Sequence, residues 1–249
     1  MQINQLKIIV VFFFIISCRE NNQEIVLERY ENGKPLKTKK LFHSSDTSSF
    51  ELKAYYETGE LYSNCFYKNN MMNGELLEYY KNGNIKLESI VVNDQFIGSK
   101  KRFYENGKLQ SIDSLITNDC KPLDCCCDAI ITEFNEKGDT IEYYTRINEV
   151  RHGYSFRVFK NGERREGTFQ NGKMEGIFKT YYKNGEWTED TYKNSILDGP
   201  TIEHTDSLII FGQYQNGKEE GQWLVKNKNG KIIRIDKYRN GHFESSIKK

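Results

Sequence analysis

Net charge is almost absent from this chain: 36 lysines and arginines face 35 aspartates and glutamates. So even a balance gives no electrostatic case for nucleic acid or for an anionic membrane surface. Histidine is scarce, and His43, His152, His204 and His242 stand far apart. No glycine lies in a Gly-x-Gly-x-x-Gly or P-loop context. Hydrophobic runs are confined to the first seventeen residues, and that run falls short of the ~20 that a spanning helix needs. No window holds a 3.6-residue period without Gly or Asn interrupting it. Carboxylates alternate with lysines, as on a solvated strand face. These absences argue against an enzyme, a cofactor and a small-molecule pocket.

A thick core is also excluded. Charged residues make up 29% and the mean hydropathy is −0.73, too polar for one large globule of 249 residues. Aromatics nevertheless reach 13%. Tyrosine covers a neighbour with its ring while its hydroxyl stays wet, which suits a single-layer sheet.

What the chain does have is a beat. Aromatic-x-Asn-Gly ends at Gly33, Gly83, Gly107, Gly162 and Gly185, with a near copy at Tyr56–Gly59. Gly138 and Gly230 fall in the same series, whose commonest spacing is 24 residues. A second glycine series runs out of phase through Gly74, Gly98, Gly153, Gly176, Gly199 and Gly221. Five residues before each of these stands an asparagine, from Asn69 to Asn216. A fixed period means an array of one small unit. The unit reads strand, tight turn, strand, wider loop, because Asn-Gly between aromatic or apolar runs signals a hairpin with positive φ at both turn residues. The expected fold is all-β: an elongated, single-layer antiparallel meander of tandem hairpins, twisted as a ribbon. Counting the units gives about seventeen strands and, at roughly 4.8 Å per strand, a length on the order of 80 Å. Tyr56, Tyr80, Tyr104, Phe159 and Tyr182 are the candidate binding-face aromatics. The Ser/Thr/Asp-rich stretch 41–50 reads as a solvated loop. The strand at 231–238, rich in Lys and Arg, reads as the last.

Tyr-Tyr-Lys-Asn-Gly at 79–83 and 181–185, with Phe169–Gly176 and Tyr214–Gly221, resembles the bacterial variant of the MORN repeat. The resemblance covers residues 28–243. Proteins built wholly of such repeats are often labelled antitoxins of the YwqK family. The resemblance therefore implies a protein-binding role, with a toxin as one partner class.

The first segment stands apart. Lys7 precedes the apolar run 8–16, and Ile15-Ile16-Ser17-Cys18 resembles a lipobox. Residues 1–17 read as a lipoprotein signal peptide, Cys18 as the lipidated residue, and 18–25 as a polar tether. The array occupies 26–249. Arg19 in place of Asp does not indicate inner-membrane retention, so the expected location is a bacterial cell envelope, lipid-anchored at the outer membrane or facing the periplasm.

One insertion breaks the period. Gly107 to Gly138 is 31 residues, and the excess, 117–128, contains Cys120, Cys125, Cys126 and Cys127. A metal or redox loop is one reading. A disulfide-stapled loop in an oxidising compartment fits better, since paired C-x2-C ligand sets are missing. Cys120 is expected to bridge to one of Cys125–Cys127, and Cys65, about four strands away, to stay reduced. The leading function is a non-catalytic, lipid-anchored protein binder. A structural envelope scaffold or spacer is the alternative, and a metal or redox role of the cysteine loop is a third.

Overall fold

A computed structural model describes residues 24–43, 45–117, 120 and 127–249. The proposed signal peptide, Cys18, Cys125 and Cys126 lie outside the described residues. Strands follow one another along the chain: β1 (Glu24–Arg29), β2 (Pro35–His43), β3 (Asp46–Tyr55), β4 (Leu61–Lys68), β5 (Met71–Tyr79) and β6 (Ile85–Val92). Next come β7 (Gln95–Phe103), β8 (Leu109–Leu115), β9 (Ala129–Phe134), β10 (Thr140–Ile147), β11 (Val150–Val158) and β12 (Arg164–Gln170). The last are β13 (Lys173–Tyr181), β14 (Trp187–Lys193), β15 (Ile196–His204), β16 (Leu208–Gln215), β17 (Lys218–Asn227), β18 (Ile232–Arg239) and β19 (His242–Lys248). The registers pair each strand antiparallel with its chain neighbour, from β1–β2 to β18–β19. The result is one open meander.

Among the described residues nineteen strands make up this sheet, against the about seventeen expected. Three misreadings account for the difference in layout. β1 starts at Glu24, inside the segment assigned to the tether. The serine-rich stretch is not a loop: β2 and β3 run through it, and Leu41 pairs with Phe50. The strand at 232–239 is followed by a further one, β19.

The two rims also differ from expectation. At the aromatic-x-Asn-Gly turns the Tyr80 N–H donates to the Asn84 carbonyl (2.8 Å) and the Gly83 N–H to the Tyr80 carbonyl (2.9 Å). That is a three-residue loop in which Gly83 alone takes positive φ, at 86°. Asn82 stays right-handed and its Oδ1 accepts the Asn84 N–H at 3.0 Å. The tight two-residue turns lie on the opposite rim, where a wide loop was expected. Asn93 (φ 50°) and Asp94 (φ 62°) are both left-handed, as a type I′ turn requires.

The second glycine series lies inside strands rather than in those turns. Gly98 is in β7, and the β6–β7 register shifts opposite it between Glu88 and Ile90. Equivalent shifts face Gly74, Gly153, Gly176, Gly199 and Gly221. These are bulges, which strengthen local twist.

Cross-strand register puts one set of side chains on the more buried face. Ser155 pairs with Gly167, Arg165 with Thr180 and Phe178 with Asp190. Among the described residues as many polar as apolar side chains are buried, so the layer is held by contacts between adjacent rings and short side chains. Tyr214, Trp223, Tyr238 and Phe243 form a ring ladder with centroids 5.3, 5.8 and 5.6 Å apart. Where a glycine faces a ring, the ring fills its place: a Cβ on Gly167 would sit 2.5 Å from the Phe178 ring, and Gly212 is covered by Trp223 in the same way.

Candidate functional site

The aromatic rim residues divide into two groups. The hydroxyls of Tyr30, Tyr56, Tyr80 and Tyr104 donate to the carbonyls of Tyr55, Tyr79, Phe103 and Phe134 at 2.7–2.8 Å. Each bond ties one repeat to the next. Tyr56, Tyr80 and Tyr104 are therefore structural rungs, with their hydroxyls engaged by the backbone. Phe159 has no hydroxyl to give, and both it and Tyr182 are exposed. The eight turn glycines Gly33, Gly59, Gly83, Gly107, Gly138, Gly162, Gly185 and Gly230 all have positive φ.

Cys120 and Cys127, between β8 and β9, cap the more buried face. Cys120 and Cys127 form a disulfide with Cα atoms 5.5 Å apart, and Cys65 is free and buried. Cys120 and Cys127 pack on Val91 and Phe96, with Met72, Leu76 and Leu115 alongside. The Phe96 N–H donates to the Cys120 carbonyl at 2.7 Å. Lys100 Nζ lies 3.5 Å from Cys127 Sγ and 4.7 Å from the Phe96 ring centre. The Cys120–Cys127 disulfide thus covers an apolar spot. Among the described residues no group of three His, Cys, Asp or Glu side chains is placed to hold a metal.

Next to this disulfide the same face becomes charged. Asp113 takes Arg102 at 3.0 Å and Arg146 at 3.9 Å. Arg146 also donates to the Cys127 carbonyl at 2.9 Å, so Cys127 is tied to β10. Glu142 is paired with Arg151 and lies 3.8 Å from Arg157. Burial, and then the charge of Glu142, hold the Glu133 carboxyl above its ordinary range. Beyond Glu142 is a groove of about 160 Å³ lined by Arg151, Arg157, Arg165, Phe159, Phe169 and Phe178, among others. The Arg157 guanidinium sits 5.6 Å from the Phe159 ring centre and that of Arg151 5.8 Å from Phe169.

The open face of these strands is different again. Tyr154 is 47% exposed, Ile177 56% and Tyr181 39%. Glu166 lies between the two tyrosines and accepts from Tyr154 Oη at 2.8 Å, from Tyr181 Oη at 3.2 Å and from Arg164 at 2.7 Å. Two fixed rings, an exposed aliphatic side chain and a guanidinium thus share one patch on β11–β13.

Residues 51–69, 72–93 and 97–115 match the family model described as MORN repeat variant. Those three segments are similar to that repeat. Each matched segment holds one aromatic-x-x-Gly hairpin, and the unmatched hairpin at Phe159–Gly162 repeats the same backbone bonds. A comparison with curated proteins finds no match. The residues peculiar to β10–β13 thus lie outside those matched segments. Sequence reading missed them because the motif it followed is architectural. The available signal was arginine: Arg146, Arg151, Arg157, Arg164 and Arg165 crowd into a stretch of twenty residues, where the other repeats mostly carry lysine.

Proposed function

We propose that this chain is a non-catalytic repeat protein that binds another protein, held at a bacterial cell envelope by lipid on Cys18. The observation that carries the reading is the Tyr154–Ile177–Tyr181 patch. Exposed tyrosines held by a shared carboxylate, with an arginine beside them, have the composition of an interface hot spot. The family resemblance suggests a toxin as the partner, which makes the protein an antitoxin or immunity lipoprotein.

Co-expression tests this. One gene encoded beside this chain is expected to be toxic alone and harmless with it, and Tyr154→Ala with Tyr181→Ala is expected to weaken capture of its product at least about tenfold. If no neighbouring product is toxic alone and rescued by this chain, the antitoxin reading fails. Protein binding itself fails if envelope pull-downs are identical for the wild type and the tyrosine double variant. A scaffold role is favoured by one observation, the uniform repeat-to-repeat tyrosine bonds from Tyr30 to Tyr104. It predicts several stable envelope components in the pull-down in place of one stoichiometric partner.

A further inference from the structure

The groove on the more buried face carries a charge pattern that the tyrosine patch does not. Arg157 and Arg165 are registered partners on β11 and β12. Arg151 shares their groove. Glu142 is shared by Arg151 and Arg157, and Arg165 donates to the neutral Thr180 hydroxyl at 3.2 Å. Three guanidiniums thus stand beside the rings of Phe159, Phe169 and Phe178, with Glu142 paired to two of them, Glu133 next to it on β9, and no carboxylate on Arg165.

We propose that this groove binds a short acidic segment of a partner protein, with carboxylates on Arg157 and Arg165 and an apolar side chain against Phe159 and Phe169. The proposal rests on the protein-binding reading and names the chemistry of a second contact. Guanidinium is the group suited to this, since its planar fork pairs two donors with the two oxygens of a carboxylate. The flanks set the length. On one side Glu133 and Glu142 follow on β9 and β10, and Glu142 pairs in register with Arg157. On the other, Asp190 and Glu203 share the face through Phe178 and Thr188. The positive strip is therefore two to three strands wide, roughly 10–15 Å. A long polyphosphate crossing the sheet meets carboxylates on both sides. A short acidic segment does not.

The test uses the full chain in detergent and four probes: a labelled peptide of Asp and Glu carrying one Phe, its Lys-for-acid counterpart, a single-stranded oligonucleotide of equal charge, and phosphatidylglycerol vesicles. The acidic peptide is expected to bind best. Arg157→Glu with Arg165→Glu should weaken it at least about tenfold. Arg165→Glu alone, whose present partner is uncharged, keeps the test readable if the double variant unfolds. Lys193→Glu, on β14 outside the groove, should change nothing. The proposal is overturned if the acidic and basic peptides bind alike, if Lys193→Glu costs as much as Arg165→Glu, or if oligonucleotide or vesicles bind more tightly through the same arginines. Loss of acidic-peptide binding with tyrosine-dependent partner capture intact refutes this proposal alone. Partner capture that is unchanged in the Tyr154→Ala, Tyr181→Ala variant refutes the wider reading.

Discussion

At the scale of single residues, the hydroxyl of Tyr80 makes the sharpest claim. It reaches the Phe103 carbonyl at 2.8 Å, across to the next repeat. Tyr80→Phe keeps the ring and deletes the bond, so it should cost roughly 0.5–1.5 kcal/mol by urea denaturation. An unchanged midpoint would show that the rung carries no stability. Cys65 supplies a pH dependence. Burial pushes its thiol from 9.0 up to about 11, and Tyr67 beside it is pushed to about 12, again chiefly by burial. Both groups are neutral in the fold and ionise more easily when unfolded. Their contribution is complete below the unfolded thiol value and is lost as pH rises through the folded one. The urea midpoint is expected to fall between about pH 9 and about pH 11, and less steeply in Cys65→Ala. Equal slopes in the two proteins would remove the thiol from the account.

At the scale of elements, the insert and the glycine-facing rings can be tested. The Cys120–Cys127 bridge closes a loop with a sequence separation of 7. Replacing both cysteines by serine should cost about 2–3 kcal/mol by the loop-entropy estimate. Reductant should reproduce that loss in the wild type and do nothing further to the variant. Gly167→Ala should cost roughly 1–3 kcal/mol, because its Cβ meets the Phe178 ring at 2.5 Å and φ there is not the issue. A neutral outcome by thermal melting would mean that the ring moves aside freely. Elements were also where the sequence was most and least legible. The glycine period located every aromatic-x-Asn-Gly hairpin, since only glycine takes the left-handed position after a type I turn without strain. It did not reveal the turn type. Asn-Gly serves both a two-residue I′ turn and a three-residue loop, and Asn93-Asp94 makes the former without any glycine. The candidate site was less legible still. Arg157 and Arg165 meet only through the β11–β12 register, and no spacing rule along one strand discloses a cross-strand pair.

At the scale of the whole molecule, stability is distributed along a line. Each strand has its registered partners in its chain neighbours, so an end can be removed without opening a central core. A chain stopped after His204 is expected to keep the β-sheet circular dichroism of its remaining strands per residue. Collapse of the whole signal would reveal long-range cooperativity that the contacts do not suggest. The ends themselves are open: β1 and β19 are exposed along their full length, and Phe243 closes the ring ladder at 58% exposure. The tyrosine patch and the arginine groove lie well inside these ends, on β11–β13, where neighbouring strands hold both faces in place.

Pairing only between sequence neighbours also governs how the chain acquires its shape. No strand waits for a distant partner, so loop-closure entropy stays small and contact order is low for an all-β protein. Each hairpin can form once its own two strands and turn are available, then serve as a template for the next. Folding is expected to proceed as a zipper, faster than in β-sandwiches of equal length, and to begin at the amino end while the rest of the chain is still being made.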